Sequence, residues 1–171
     1  MPKLPMFTAP QTKASDDFVW FVYGSSLDVD ALKSWCAEHG YVAPDLATAK
    51  PAVLGGWRLA FNVRSNFWGG VVASLVEDPA GRVEGLAFRM PAPSMGFVRH
   101  KEGVVSGLFE ERDARCSIGG EETPCKVFVA APARTVPEGA PAPRFLDTLI
   151  KGAKERGLSA EWVAALEKMR A

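Results

Sequence analysis

The stretch Phe18-Val19-Trp20-Phe21-Val22-Tyr23-Gly24-Ser25-Ser26-Leu27 decides the architecture. An unbroken apolar and aromatic run from Phe18 to Tyr23 stops at a glycine. Its length and its β-branched and aromatic content predict a strand buried on both faces. Asp28 or Asp30 then caps a helix whose inner face carries Leu32, Trp35 and Cys36 and which Gly40 ends. A buried strand that passes through Gly24, Ser25 and Ser26 into a helix presents backbone N–H groups with no bulky side chain in front of them. Such groups suit a carboxylate or an oxyanion. An ordinary turn with serine capping uses the same residues equally well, so the turn alone leaves both readings open.

Outward from this unit the chain turns β-rich. Residues 53–63 alternate around Gly55-Gly56, which predicts a strand with a bulge or bend. Residues 70–77 and 82–90 read as two strands joined by a hairpin loop, Asp78-Pro79-Ala80-Gly81. Residues 91–101 suggest a short helical turn, and 104–111 and 125–131 further strands with Gly119-Gly120 between them. Residues 41–51 read as loop, and 132–143, with Pro132, Pro137, Pro141 and Pro143, as an extended connector. Phe145, Leu146, Leu149, Ile150 and Ala153 recur at helical spacing up to Gly157; Ser159 caps a last helix with Trp162, Leu166 and Met169 on one side. The pattern predicts an α+β fold: a small mixed β-barrel with flanking helices.

Composition bounds the function. The 171 residues suit one domain, 17–171, preceded by a mobile leader, 1–16, that Pro2, Pro5 and Pro10 interrupt. With 20 basic and 20 acidic side chains the net charge is zero, which gives no footprint for nucleic acid or an anionic membrane. No apolar run approaches a membrane span, and no signal-peptide stretch is seen, so a cytoplasmic protein is expected. Cys36, Cys116 and Cys125 are read as reduced thiols, the last two in neighbouring strands.

Several side chains invite chemistry. Glu102, in His100-Lys101-Glu102-Gly103-Val104, lies where a helical turn meets a strand. Buried at a barrel mouth, its carboxyl pKa would rise towards neutrality, as acid/base work requires; on the surface it is one more solvated glutamate. Cys36 and His39, with His100, have helical spacing for metal ligands but lack a matching second pair, so no metal is expected. A nucleophilic Ser25 lacks a Gly-x-Ser-x-Gly elbow.

Taken together, these segments resemble the γ-glutamyl cyclotransferase family. That family's Tyr-Gly-Ser-Asn-Leu turn is similar to Tyr23-Gly24-Ser25-Ser26-Leu27. Its Gly-Gly strand is matched by Trp68-Gly69-Gly70-Val71-Val72, and its Glu-Gly-Val segment with a following Ser-Gly pair by Glu102 to Gly107. The segment Gly152-Ala153-Lys154-Glu155-Arg156-Gly157-Leu158 is similar to the animal glutathione-pathway branch. The resemblance covers roughly residues 18–168.

It implies a compact barrel in which the turn binds the γ-glutamyl unit of a small-molecule substrate and Glu102 is the catalytic acid/base. The implied reaction is intramolecular: the substrate's α-amine attacks its own γ-carbonyl and releases 5-oxoproline and an amine. No cofactor is implied. Three substrate-site positions depart from the pattern. Ser26 stands where the family usually has Asn, and Phe109 and Phe128 stand where the animal enzymes have Tyr. Each lost pocket hydroxyl or amide would weaken binding by roughly 1–3 kcal/mol if its partners stay buried. The departures keep two alternatives open, a cyclotransferase for another γ-glutamyl amide and a non-catalytic γ-glutamyl-binding relative.

Overall fold

A computed structural model describes residues 17–170; the leader at 1–16 lies outside the described residues. Five strands, β1 (Phe18–Val22), β2 (Lys50–Ser65), β3 (Gly70–Met90), β4 (Phe109–Ile118) and β5 (Glu121–Ala130), close into a barrel in the order β1-β3-β2-β4-β5. Among the described residues four α-helices flank it: α1 (Val29–His39), α2 (Met95–Lys101), α3 (Pro143–Glu155) and α4 (Ala160–Glu167). The small mixed barrel with flanking helices expected from the sequence is therefore what forms.

β1 closes the barrel. It runs antiparallel to β3, with Trp20 opposite Phe88, and on its other edge pairs parallel to β5 at Lys126. A parallel neighbour requires a long crossover between the two strands, and here the rest of the sheet supplies it. Trp20, Phe21 and Val22 are all buried, which explains the unbroken apolar run.

The expected hairpin at residues 78–81 does not exist. Both halves of β3 pair with β2: Gly70 to Glu77 lies opposite Ser65 to Trp57, and Arg82 to Ala87 opposite Gly55 to Lys50. Residues 78–81 bulge out of one continuous strand opposite the single residue Gly56. An Asx turn, Ala80 N–H to Asp78 Oδ1 at 3.0 Å, shapes the bulge. Gly81 runs so close to β2 that a Cβ there would sit 2.3 Å from the Trp57 carbonyl oxygen. Turn-forming residues thus mark a strand irregularity as readily as a strand reversal. The true two-residue reversal is Gly119-Gly120, both at positive φ, between β4 and β5.

A second correction concerns residues 104–108, which belong to turns; β4 begins at Phe109 and runs on to Ile118. The proline-rich connector is docked along the barrel. Val136 N–H donates to the Asn62 carbonyl, Gly139 N–H to Phe61 and Ala142 N–H to Val71, and Arg58 pairs with Glu138 at 2.8 Å. Cys116 and Cys125 lie in adjacent strands, buried and unbridged, and Cys36 is buried on α1. Among the described residues no helix is long and apolar enough to cross a membrane.

α3 fixes the strand-to-helix turn. Asp28 caps α1 by accepting from Asp30 N–H at 3.1 Å and also pairs with Lys151 Nζ of α3 at 2.7 Å. One residue on, Gly152 packs against the turn itself: a Cβ there would lie 2.5 Å from the Leu27 carbonyl carbon. Backbone cannot yield as a flexible side chain does. Gly152→Ala is therefore expected to destabilise the protein by about 1–3 kcal/mol, read as a lower urea midpoint at unchanged m-value.

Candidate active site

A cleft of about 590 Å³ opens where β1 runs into its turn. Tyr23, Gly24, Ser25 and Ser26 line it together with Lys101, Glu102, Leu108 and Phe109. The turn is a single 3₁₀ turn, closed by Leu27 N–H to Gly24 O at 3.0 Å and Asp28 N–H to Ser25 O at 3.1 Å. These bonds leave the opening amides of Gly24, Ser25 and Ser26 unused within the turn, as at any helical start.

Glu102 owes its position to a helix end. It is the C-cap of α2, and Gly103 follows at φ 79°. Gly103 N–H donates to His100 O at 3.2 Å and Val104 N–H to Arg99 O at 2.9 Å, the two bonds of a Schellman motif. Glu-Gly-Val is thus a helix-stop signal with the carboxylate on its last turn. A side-chain-bearing residue at Gly103 would be strained in the left-handed conformation.

From β1, Trp20 Nε1–H donates to Glu102 Oε1 at 3.2 Å, with Trp20 itself fully buried against Phe88 and Phe97. Burial raises the Glu102 pKa; the nearby Lys101 ammonium and the Trp20 hydrogen bond oppose this but only in part. The cleft therefore holds one carboxyl whose proton affinity is raised, beside unused backbone donors. Tyr23, enclosed and close to Glu102, has its phenol pKa pushed well up by burial and then by the Glu102 charge. It remains a neutral phenol that donates to the Phe128 carbonyl.

The remaining expected site residues divide. Leu27 and Phe128 do not face the cleft. Leu27 is buried beneath α3, and Phe128 is fully buried in the core, offering only its backbone carbonyl to Tyr23. β5 turns that side chain inward, so its lack of a hydroxyl leaves the cleft unaltered. Phe109 does line the cleft, as the first residue of β4. Cys36 is buried, while His39 stacks on Trp35 with ring centroids 4.0 Å apart and shares its Nδ1 with the Trp35 carbonyl at 2.8 Å. His100 is engaged by the Tyr41 hydroxyl at 2.9 Å. Among the described residues no group of three His, Cys, Asp or Glu side chains is arranged to hold a metal.

Sequence reasoning missed the Trp20 donor, the presence of Lys101 in the cleft, and an aromatic outer wall of Trp35, Phe67, Trp68 and Phe145. Trp35 had been assigned to the inner face of α1 with Leu32 and Cys36. It packs against the core there and, like Leu32 one turn away, also lines the cleft, half-buried. A strand buried on both faces gives no parity signal to mark Trp20 as the residue that meets Glu102.

Comparison with known proteins adds an independent line. Residues 82–166 match the AIG2-like family. The chain is 25% identical over 164 residues to the gamma-glutamylcyclotransferase of Bos taurus, covering 93% of this chain and 82% of the bovine one. It is 26% identical over 157 residues to the Homo sapiens protein of the same name, covering 89% and 78%. Among solved structures, a gamma-glutamyl cyclotransferase superposes with a TM-score of 0.74 at 23% identity, covering 88% of this chain and 86% of that one.

The Trp20 contact makes a direct prediction. Trp20→Phe keeps the ring packing but removes the N–H that favours ionised Glu102. The Glu102 pKa should rise further, read by carboxyl-carbon NMR titration of the two proteins.

Proposed function

We propose that this chain, related over nearly its whole length to the gamma-glutamylcyclotransferases, is itself a cyclotransferase that releases 5-oxoproline from small γ-glutamyl compounds. The observation that carries the reading is the half-buried Glu102 carboxyl, its pKa raised, in one cleft with the Gly24–Ser26 turn.

The chemistry needs that pairing. The substrate's α-ammonium must lose a proton before its nitrogen can attack the γ-carbonyl carbon. Glu102 accepts that proton. A five-membered ring closes as the C–N bond forms, and the carbonyl oxygen takes up negative charge. N–H donors of the Gly24–Ser26 turn stabilise that oxygen. The intermediate collapses with cleavage of the bond to the leaving nitrogen, which takes the proton back from Glu102, while the second proton shed by the ring nitrogen passes through the same carboxylate to the released amine, which departs as its ammonium ion. One carboxyl thus serves both transfers, and a pKa moved towards the working pH suits each. Because nucleophile and electrophile share one molecule, the cleft's main task is to hold the substrate folded; such positioning supplies several kcal/mol. Ser26, on the buried side of the turn, and Phe109, opposite, shape the space for the γ-glutamyl head. Three reduced cysteines suit a cytoplasmic setting.

Glu102→Gln tests this reading. It is expected to lower kcat for 5-oxoproline release by roughly 10²–10⁴-fold, measured by mass spectrometry with γ-glutamyl-alanine, γ-glutamyl-ε-lysine and glutathione as substrates. Full turnover in this variant would remove Glu102 as the base.

The pH dependence has a definite sign. A carboxyl must be ionised to act as base, so kcat/KM of the wild type should fall as pH drops through the raised Glu102 pKa. The same shift acts on stability. A carboxyl whose folded pKa lies above its unfolded value contributes fully below the unfolded pKa, and the contribution is lost as pH rises through the folded one. At neutral pH, Glu102→Gln should therefore melt at or above the wild-type temperature, which separates lost chemistry from lost fold.

A further inference from the structure

Lys101 ends α2 beside Glu102 and lines the same cleft. Its ammonium lies over the Trp35 ring, 5.5 Å from the centroid. Among the described residues no carboxylate approaches within 4.0 Å of it, whereas Lys126, also partly buried, pairs with both Glu111 and Asp113. It feels the Glu102 charge without touching it: burial lowers the Lys101 pKa, and Glu102 and Cys36 pull it back up. A cation held in a cleft without a counter-ion has its hydrogen-bonding capacity directed at whatever enters. Among the described residues, the other basic side chain on the cleft wall is His39, whose Nδ1 is taken up by the Trp35 carbonyl.

The position selects what Lys101 meets. Glu102 must reach the leaving nitrogen to protonate it. In a γ-glutamyl amino acid a single carbon separates that nitrogen from a free carboxylate. The Lys101 ammonium, held over the half-buried Trp35 in the same cleft as Glu102, is the cation available to that carboxylate. In that reading the Gly24–Ser26 turn takes the γ-glutamyl head. We propose that Lys101 is a specificity-determining residue that binds the α-carboxylate of the leaving amino acid, so that γ-glutamyl amino acids are preferred over γ-glutamyl amines lacking that group. The leaving residue's side chain then extends along Trp35, Trp68 and Phe145, a wall suited to apolar or aromatic groups. This assignment rests on the cyclotransferase reading above and adds the leaving-group class to it.

The test is a cross of two enzymes and two substrates. γ-Glutamyl-alanine and γ-glutamyl-ethylamine differ chiefly by the carboxylate. For the wild type and Lys101→Met, kcat/KM is measured on the pH plateau of each enzyme, so that any change in the Glu102 pKa is removed. The alanine-to-ethylamine ratio should fall about 10- to 100-fold in Lys101→Met, the scale of one charge-assisted hydrogen bond. Lys101→Arg should recover part of it. An unchanged ratio, whether both substrates lose activity equally or neither does, would overturn the proposal; equal loss would make Lys101 a residue that acts through Glu102. Calorimetric binding of both compounds to Glu102→Gln, with and without Lys101→Met, reads the same ratio without turnover. If the wild type releases no 5-oxoproline from either compound, the cyclotransferase reading fails. The binding ratio still decides whether Lys101 recognises the carboxylate, and failure of both compounds to bind would reject it too.

Discussion

Everything in this fold hangs on the burial of β1. The strand pairs on both edges, antiparallel to β3 along its whole length and parallel to β5 at Trp20 and Lys126, and its side chains from Val19 to Val22 are all enclosed. That position closes the barrel, so the sheet has no free edge there. It also means that the chain leaving β1 emerges at one fixed point on the barrel rim. The Gly24–Ser26 turn is placed by the strand before it, by the Asp28 cap and Lys151 pair after it, and by the Gly152 backbone pressing from the side. A turn of small residues with little packing of its own becomes rigid because three neighbours over-determine it.

The same strand sets the electrostatics of the cleft. Trp20 projects from β1 to Glu102, so the element that supplies the amide turn also supplies the donor for the carboxylate. The second element, α2, contributes Lys101 and Glu102 in succession at its end. Helix geometry there is not decorative: the Schellman bonds at Gly103 and Val104 stop the helix at the residue whose carboxylate must face inward. Two adjacent side chains of opposite charge share a low-polarity cleft and keep apart, which leaves each with capacity for a third party.

Much of this was legible in the residues. The strand, turn and helix from Phe18 to Gly40 carry propensity, cap and stop signals that agree, and the structure follows them almost residue for residue. Glu102 was different. Nothing in its local sequence separates a buried glutamate from a solvated one, and only the resemblance of several ordered segments singled it out. The misreadings have physical sources. Asp78-Pro79-Ala80-Gly81 holds turn chemistry that is used to push residues out of a strand rather than to reverse it. Phe128 and Leu27 lie within motifs yet point into the core, since position in a motif does not fix which way a side chain faces. Lys101 and Trp35 become visible only when α1 and α2 are brought together around the cleft.

The bulge in β3 has a consequence for how such a chain can change length. Four residues, 78–81, stand opposite Gly56 alone, while the pairing with β2 is regular again from Arg82 onward. Residues gained or lost at that point alter neither the inside-outside alternation of the strand nor the position of anything that lines the cleft. Among the described strands the longest thus carries an expansion joint at residues 78–80, where the chain can lengthen or accept a grafted loop while Gly81 keeps its close approach to Trp57 and the paired segments on either side stay in register.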